Sequence, residues 1–265
     1  MELGVQIYGA MEIFRKSPEQ FLRKIAEIGY THIEPCLAFD EPYGRTQNHK
    51  IIPAWLPHEI DEFYAIMNTY GLKLSSCHIL GNPVKHMDKI TRISEKCGPK
   101  SFVLNMPQEG MKSKFDQFVN DCVVLESELK KSGLFLWLHN NYREVQNKRG
   151  NKSLFELALE LCEGRIGAQV DVGWVLFGGE DPIQYMDKIK PYLQSIHYKD
   201  IKPYHNTLPP EKAHICLGEG VLNVEAIYRY ISTLNVTQLV DQDKSDNNLM
   251  EDLKTSAKLL NKIAL

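Results

Sequence analysis

The chain has 265 residues, 43% hydrophobic and 25% charged, the balance of a soluble globular protein rather than a disordered, fibrous or membrane one. With 31 Lys+Arg against 34 Asp+Glu, its formal net charge of -3 lacks the basic excess that duplex binding draws on, so nucleic acid is not an expected partner. Six cysteines (Cys36, Cys77, Cys97, Cys122, Cys162, Cys216) form no C-x-x-C pair and read as reduced thiols; no signal peptide or membrane span is evident, and a cytoplasmic location is expected.

Short apolar runs alternate with segments of helical period, the signature of repeated βα units on a parallel sheet. In chain order the predicted strands are Gly4–Tyr8, His32–Glu34, Leu72–Ile79, Ser101–Met106, Leu134–His139, Ile166–Val172, Leu193–Tyr198 and Gln238–Asp243. Between the first two, Ser17 is expected to cap a helix with Pro18 in its first turn and Gln20 completing a capping box. Gly29 ends that helix, Gly71 ends one over Pro57–Tyr70, and Gly133 ends one over Lys114–Ser132. A last helix, Asn248–Ile263, carries Leu249, Leu253, Leu259, Leu260 and Ile263 at helical spacing. Eight strands and eight helices with no linker between them predict an α/β fold, one (β/α)8 TIM barrel occupying 1–265 as a single domain.

Active sites of such barrels lie at the C-terminal strand ends. The polar residues placed there are Glu34, His78, Asn105, the run His139 to Glu144, Asp171, His197, Asp241 and Asp243. Histidines and carboxylates arriving from different strands form a donor set for Mn, Mg, Zn or Co, with no thiolate required. Asp171 alternates with Val170 and Val172, which turns its carboxylate into the barrel, where a charge needs a partner. A metal ion and a structural ion pair with Lys or Arg both meet that need. His197, beside Lys199 and Asp200, reads as a ligand or a satisfied core histidine, and His78 as a substrate contact or a packed ring.

Leu-His-Asn-Asn-Tyr-Arg-Glu-Val (138–145), Gln-Val-Asp-Val-Gly-Trp (169–174), Ile-His-Tyr-Lys-Asp (196–200), Leu-Gly-Glu-Gly-Val-Leu (217–222) and Leu-Val-Asp-Gln-Asp (239–243) resemble, in order and spacing, successive motifs of the xylose-isomerase-like sugar isomerase/epimerase superfamily. The resemblance covers nearly the whole chain. It implies Asp171 and His197 as metal ligands, joined by Glu144 from the fifth strand and by Asp241, which stands where the family has a longer Glu. Asn141 replaces the second histidine of the fifth-strand motif, and Asn takes up no proton near neutral pH.

The resemblance further implies a sugar isomerase or epimerase with one divalent ion, which removes a proton next to a carbonyl through a metal-stabilised enediolate. His139, Glu144 and Asp241 are the candidate acid/base residues, His139 being otherwise an orienting group. Glu34, His78, Asn141, Trp174, Lys199 and Glu219 are the candidate substrate contacts. Loss of a β-substituent from the same intermediate would make the protein a dehydratase or lyase. A metal-cluster phosphodiesterase is disfavoured by the net charge and by the placement of His58 and His86 on apparent helices, whereas Asp241 and Asn141 keep open a non-catalytic barrel subunit. Gly218 and Gly220 form a Gly-x-Gly turn too short to argue for a phosphate or NAD site. Trp55 and Trp137 are further candidates for an apolar wall, and Arg45 and His49 for a cover over the pocket. The expected partner is a small sugar or polyol, with no membrane; a homo-oligomer is open.

Overall fold

The computed structural model describes residues 2–39, 54–81, 83–107 and 111–265. Arg45 and His49 lie outside the described residues. In chain order the strands are β1 (Gly4–Gln6), β2 (His32–Glu34), β3 (Cys36–Ala38), β4 (Lys73–Leu74), β5 (Ser76–Leu80), β6 (Ser101–Asn105), β7 (Phe135–His139), β8 (Lys148–Arg149), β9 (Lys152–Ser153), β10 (Gly167–Asp171), β11 (Leu193–Tyr198), β12 (Asp200–Ile201), β13 (His214–Ile215) and β14 (Thr237–Asp241). The α-helices are α1 (Met11–Lys16), α2 (Pro18–Ile28), α3 (Ile60–Thr69), α4 (Met87–Cys97), α5 (Phe115–Lys131), α6 (Tyr142–Gln146), α7 (Leu154–Leu161), α8 (Val172–Phe177), α9 (Pro182–Lys188), α10 (Val224–Ile231) and α11 (Leu249–Ile263).

Ten strands form one sheet in the order β3-β5-β6-β7-β10-β11-β14-β1-β2-β4. Every pairing within it is parallel. Its two ends are halves of the same strands: β2 and β3 are separated only by Pro35, and β4 and β5 only by Ser75. Because β2 pairs with β4 and β3 with β5, the second and third barrel strands pair along their length and close the sheet on itself. Counting each broken strand once turns the ten segments into the eight of a TIM barrel. Pro35 lacks a backbone N–H, which interrupts the ladder at that residue while its carbonyl still accepts from His78 at 3.0 Å.

The strands are buried on both faces because helices wrap the sheet, and they read as near-continuous apolar runs. In α11, Leu249, Leu253, Ala257 and Leu260 are buried at helical spacing, and Asn248 caps the helix by accepting from the Met250 and Glu251 N–H groups. Ser17 does not act as expected: its side chain caps nothing, and it marks the joint between α1 and α2. The described helices also outnumber the eight expected, since α1, α6 and α8 are short pieces at or near the C-terminal strand ends. No described helix is long and apolar enough to cross a membrane.

Candidate active site

Register brings the polar strand ends to one level. Gln6 of β1 lies beside both Glu34 of β2 and Asp241 of β14, Asp171 of β10 pairs with His197 of β11, and His139 of β7 lies between Asn105 and Gln169. Above them opens a cavity of about 450 Å³ whose walls include Gln6, Tyr8, His78, Asn105, His139, Asn141, Trp174, Lys199, Asp241 and Asp243. Six of the residues singled out from the sequence as substrate contacts or acid/base groups therefore share its wall: His78, His139, Asn141, Trp174, Lys199 and Asp241.

The floor is a hydrogen-bonded layer centred on Glu34, which is wholly buried. Its carboxylate accepts from Ser76 Oγ, from Gln169 Nε2 at 2.7 Å and from Gln6 Nε2 at 3.4 Å, and lies 2.6 Å from His197 Nε2. Burial pushes this carboxyl up, but His197 and His78 beside it outweigh burial and hold it well below the usual carboxylate range. Glu34, expected as a substrate contact, thus lies beneath the cavity and is not among the residues that line it. Gln169 links the layer to His78, with Oε1 2.8 Å from His78 Nε2.

On this floor four buried residues present one ligand atom each within 4.8 Å of one another: His139, Asp171, His197 and Asp241. Local structure explains how each is aimed. Asp171 caps α8 by accepting from the Trp174 N–H through Oδ1 at 2.8 Å, which leaves Oδ2 to the cluster. Asn140 fixes its backbone, accepting from Asp171 N at 3.0 Å and donating to Asp171 O at 3.2 Å. His197 turns Nε2 to Glu34, so Nδ1 faces Asp241 Oδ2 at 3.3 Å. Both nitrogens of His139, Asp171 Oδ2, His197 Nδ1 and Asp241 Oδ1 make no hydrogen bond despite being buried. Orphaned buried polar atoms are rare and cost about 1–3 kcal/mol each. Imidazole nitrogens and carboxylate oxygens left open at one point fit a divalent ion.

Two cationic groups stand in the cluster: burial lowers the His197 imidazole, yet Glu34 and Asp241 override it and raise it to about 10, and Lys199 brings an ammonium. The Lys199 Nζ lies 3.2 Å from Asp171 Oδ2, 2.8 Å from Asp241 Oδ2 and 2.6 Å from Asp243 Oδ2, over the Trp174 ring at 4.9 Å. Both partners foreseen for Asp171 are thereby represented: an ion pair with lysine, and a ligand set that could hold a metal. Burial lowers the Lys199 ammonium, yet the three aspartates override it and hold it well above its ordinary value. Burial raises Asp171 to about 6 against the pull of Lys199, while Lys199 and His197 hold Asp241 well below the carboxylate range in spite of burial. Burial, then His197, His78 and Lys199, keep His139 neutral.

Glu144 stands apart from the four. It is fully buried at the start of α6, where Oε2 accepts from the Asn141 N–H at 3.0 Å as half of a capping box, and it does not line the cavity. His139, six residues before the end of the Leu-His-Asn-Asn-Tyr-Arg-Glu-Val motif, is the fifth-strand residue whose ring reaches the group of converging atoms. Glu219 is exposed on the turn after β13, away from the cavity wall. The Gly-x-Gly turn beside it encloses an internal carboxylate: Asp200 accepts from the N–H groups of Ile201, Gly218, Gly220 and Leu222 at 2.9–3.0 Å. Trp55 is core, stacked on Phe14, and Trp137 lines cavities at the opposite, N-terminal end of the barrel.

Gln6, Ser76 and Gln169 were not foreseen. Gln169 was the most accessible of them, because it precedes Asp171 by two on a strand and alternation turns both inward.

At the sequence level no family model and no curated protein matches the chain. Solved structures do match it. A sugar phosphate isomerase/epimerase from Parabacteroides distasonis is 19% identical, with 97% of this chain and 92% of that one covered at a TM-score of 0.75. A probable 3-DHS dehydratase involved in petrobactin synthesis from Bacillus anthracis is 12% identical over 98% and 99% of the two chains, with a TM-score of 0.70. A xylose isomerase-like TIM barrel protein from Mycobacterium smegmatis, in complex with magnesium, is 15% identical over 92% and 87%, with a TM-score of 0.63. The chain has the fold of the xylose isomerase-like TIM barrel proteins.

Proposed function

We propose that the chain, as a single domain, is a divalent-metal-dependent sugar isomerase or epimerase that removes a proton next to a carbonyl. The observation that carries this reading is the convergence of four buried histidine and aspartate side chains from four strands on the floor of a cavity of about 450 Å³. His139, Asp171, His197 and Asp241 would hold the ion. When bound, the ion supplies Lewis-acid charge to two adjacent substrate oxygens.

The chain's own groups do the rest. Asp241 lines the cavity and is the residue we assign to the proton transfer, one carboxylate oxygen helping to hold the ion and the other taking the proton. Return of that proton to the neighbouring carbon gives isomerisation, and replacement on the opposite face gives epimerisation. Trp174 offers an apolar wall to a sugar face, and Asn141, His78 and Asn105 offer hydrogen bonds to hydroxyls. Among the described residues lining the cavity Lys199 is the one lysine or arginine, and it is shared by three aspartates, which suits a neutral sugar. A dehydratase or lyase outcome is favoured by one feature: the Lys199 ammonium stays protonated at the cavity wall and can donate to a departing oxygen.

The test is carbon-bound proton exchange. Metal-loaded protein incubated in deuterium oxide with a panel of keto-sugars and 3-keto-glycosides should incorporate deuterium next to the carbonyl, and Asp241→Asn should slow this by about 10²–10⁴-fold. No exchange with any member of the panel would contradict the reading and favour a non-catalytic barrel subunit.

A further inference from the structure

We propose that Asp243 is a positioning residue that receives the Lys199 ammonium when an ion occupies the four-residue cluster, so that ion binding and presentation of Lys199 to substrate are one event. The inference rests on the reading above that the cluster holds an ion. Of the three aspartates around Nζ, Asp171 and Asp241 belong to the group of converging ligand atoms and Asp243 does not. The ammonium and an ion therefore compete for the same two carboxylates.

Charge and geometry resolve the competition in one direction. Three carboxylates face the single Lys199 ammonium, with His197 beside Asp241, so negative charge is in excess around Nζ and a divalent ion reduces it. With the ion on Asp171 and Asp241, like-charge repulsion drives the ammonium from them, and the remaining counter-charge is Asp243. That contact already exists as the shortest of the three, a hydrogen bond of 2.6 Å. The Trp174 ring, 4.9 Å from Nζ, gives the ammonium a further favourable face that does not depend on Asp171 or Asp241. Both residues line the cavity, but the Asp243 side chain is 20% exposed and that of Lys199 2%, so the shift brings the cation from the wall toward the space a substrate would fill.

The experiment uses the full chain and Mn²⁺. A crystal structure of the Mn²⁺-loaded wild type should place Nζ on Asp243 and out of contact with Asp171. In calorimetric titrations, Asp243→Asn should weaken Mn²⁺ binding by about tenfold or more in the wild type but by less than about threefold in Lys199→Met, since the effect acts through the lysine. Lys199→Met alone should bind Mn²⁺ at least as tightly as wild type. Equal weakening by Asp243→Asn in both backgrounds, or an Mn²⁺-loaded structure with Nζ still on Asp171 and Asp241, would overturn the inference alone. A wild type that takes up no Mn²⁺ would overturn the ion reading and this inference with it. The structure of the loaded wild type decides the matter even if Lys199→Met does not fold.

Discussion

His197 owes its aim to Glu34. A histidine that donates one ring N–H to a carboxylate presents its other nitrogen in a fixed direction, and here that nitrogen faces Asp241 and the open cluster. Glu34→Gln keeps the volume and loses the charge, so divalent-ion affinity should fall by about 10–100-fold in a titration; unchanged affinity would show that Glu34 does not act through His197. His214 makes a second residue-scale case. Burial, then Lys199, lowers it to about 4 where it sits edge-on to Trp174, 5.2 Å between ring centroids, while an imidazole of the unfolded chain titrates near pH 6.5. Between those values the unfolded chain takes a proton that the folded chain refuses. The stabilising effect is therefore complete above about pH 6.5 and is lost as the pH falls toward 4, to an extent of about 3 kcal/mol. Urea unfolding from pH 7 to 4 should show a steeper loss for wild type than for His214→Asn, and parallel curves would contradict the assignment. That Asp171 would need a partner was legible because a charged residue inside an apolar strand run demands one. That Glu34 and Glu144 lie off the cavity wall was not legible, because carboxylates below a cavity look the same in sequence as those on its wall.

At the scale of elements, the site depends on two close approaches. Gly173 lies in α8 where an added Cβ would stand 2.4 Å from the Lys199 carbonyl oxygen and 2.9 Å from its Cβ, so only glycine lets the helix seat Trp174 and Lys199 together. Gly173→Ala should cost about 1–3 kcal/mol in thermal or urea unfolding. The hairpin of β12 and β13 and the turn that follows are tied by Asp200, whose carboxylate takes four backbone N–H groups. Asp200→Ala leaves those donors buried without an acceptor and should destabilise the protein by at least about 3 kcal/mol; a variant as stable as wild type would contradict that role. Strand positions followed closely from apolar runs, and α11 from its leucines. The breaks at Pro35 and Ser75 did not, because a barrel strand interrupted for one residue keeps its apolar pattern on both sides. Ser17 failed as a cap because its local motif fits equally well a joint between two helices.

For the whole molecule, closure of the sheet between its second and third strands places every polar strand end on one rim, and the chemistry follows from that placement. Eight βα units were readable from alternation alone, since each strand buried on both faces needs its own covering helix. Which carboxylates meet was less accessible, as convergence depends on register between strands far apart in sequence, such as Glu34 with His197 and Gln169. The ion is the central claim. Metal analysis of the purified protein after loading with Mn, Mg, Zn or Co should find about one ion per chain, lost in both Asp171→Ala and His197→Ala while their circular dichroism stays that of a folded barrel. A wild type that retains no divalent ion under any loading, or variants that retain it as well as wild type, would contradict the account.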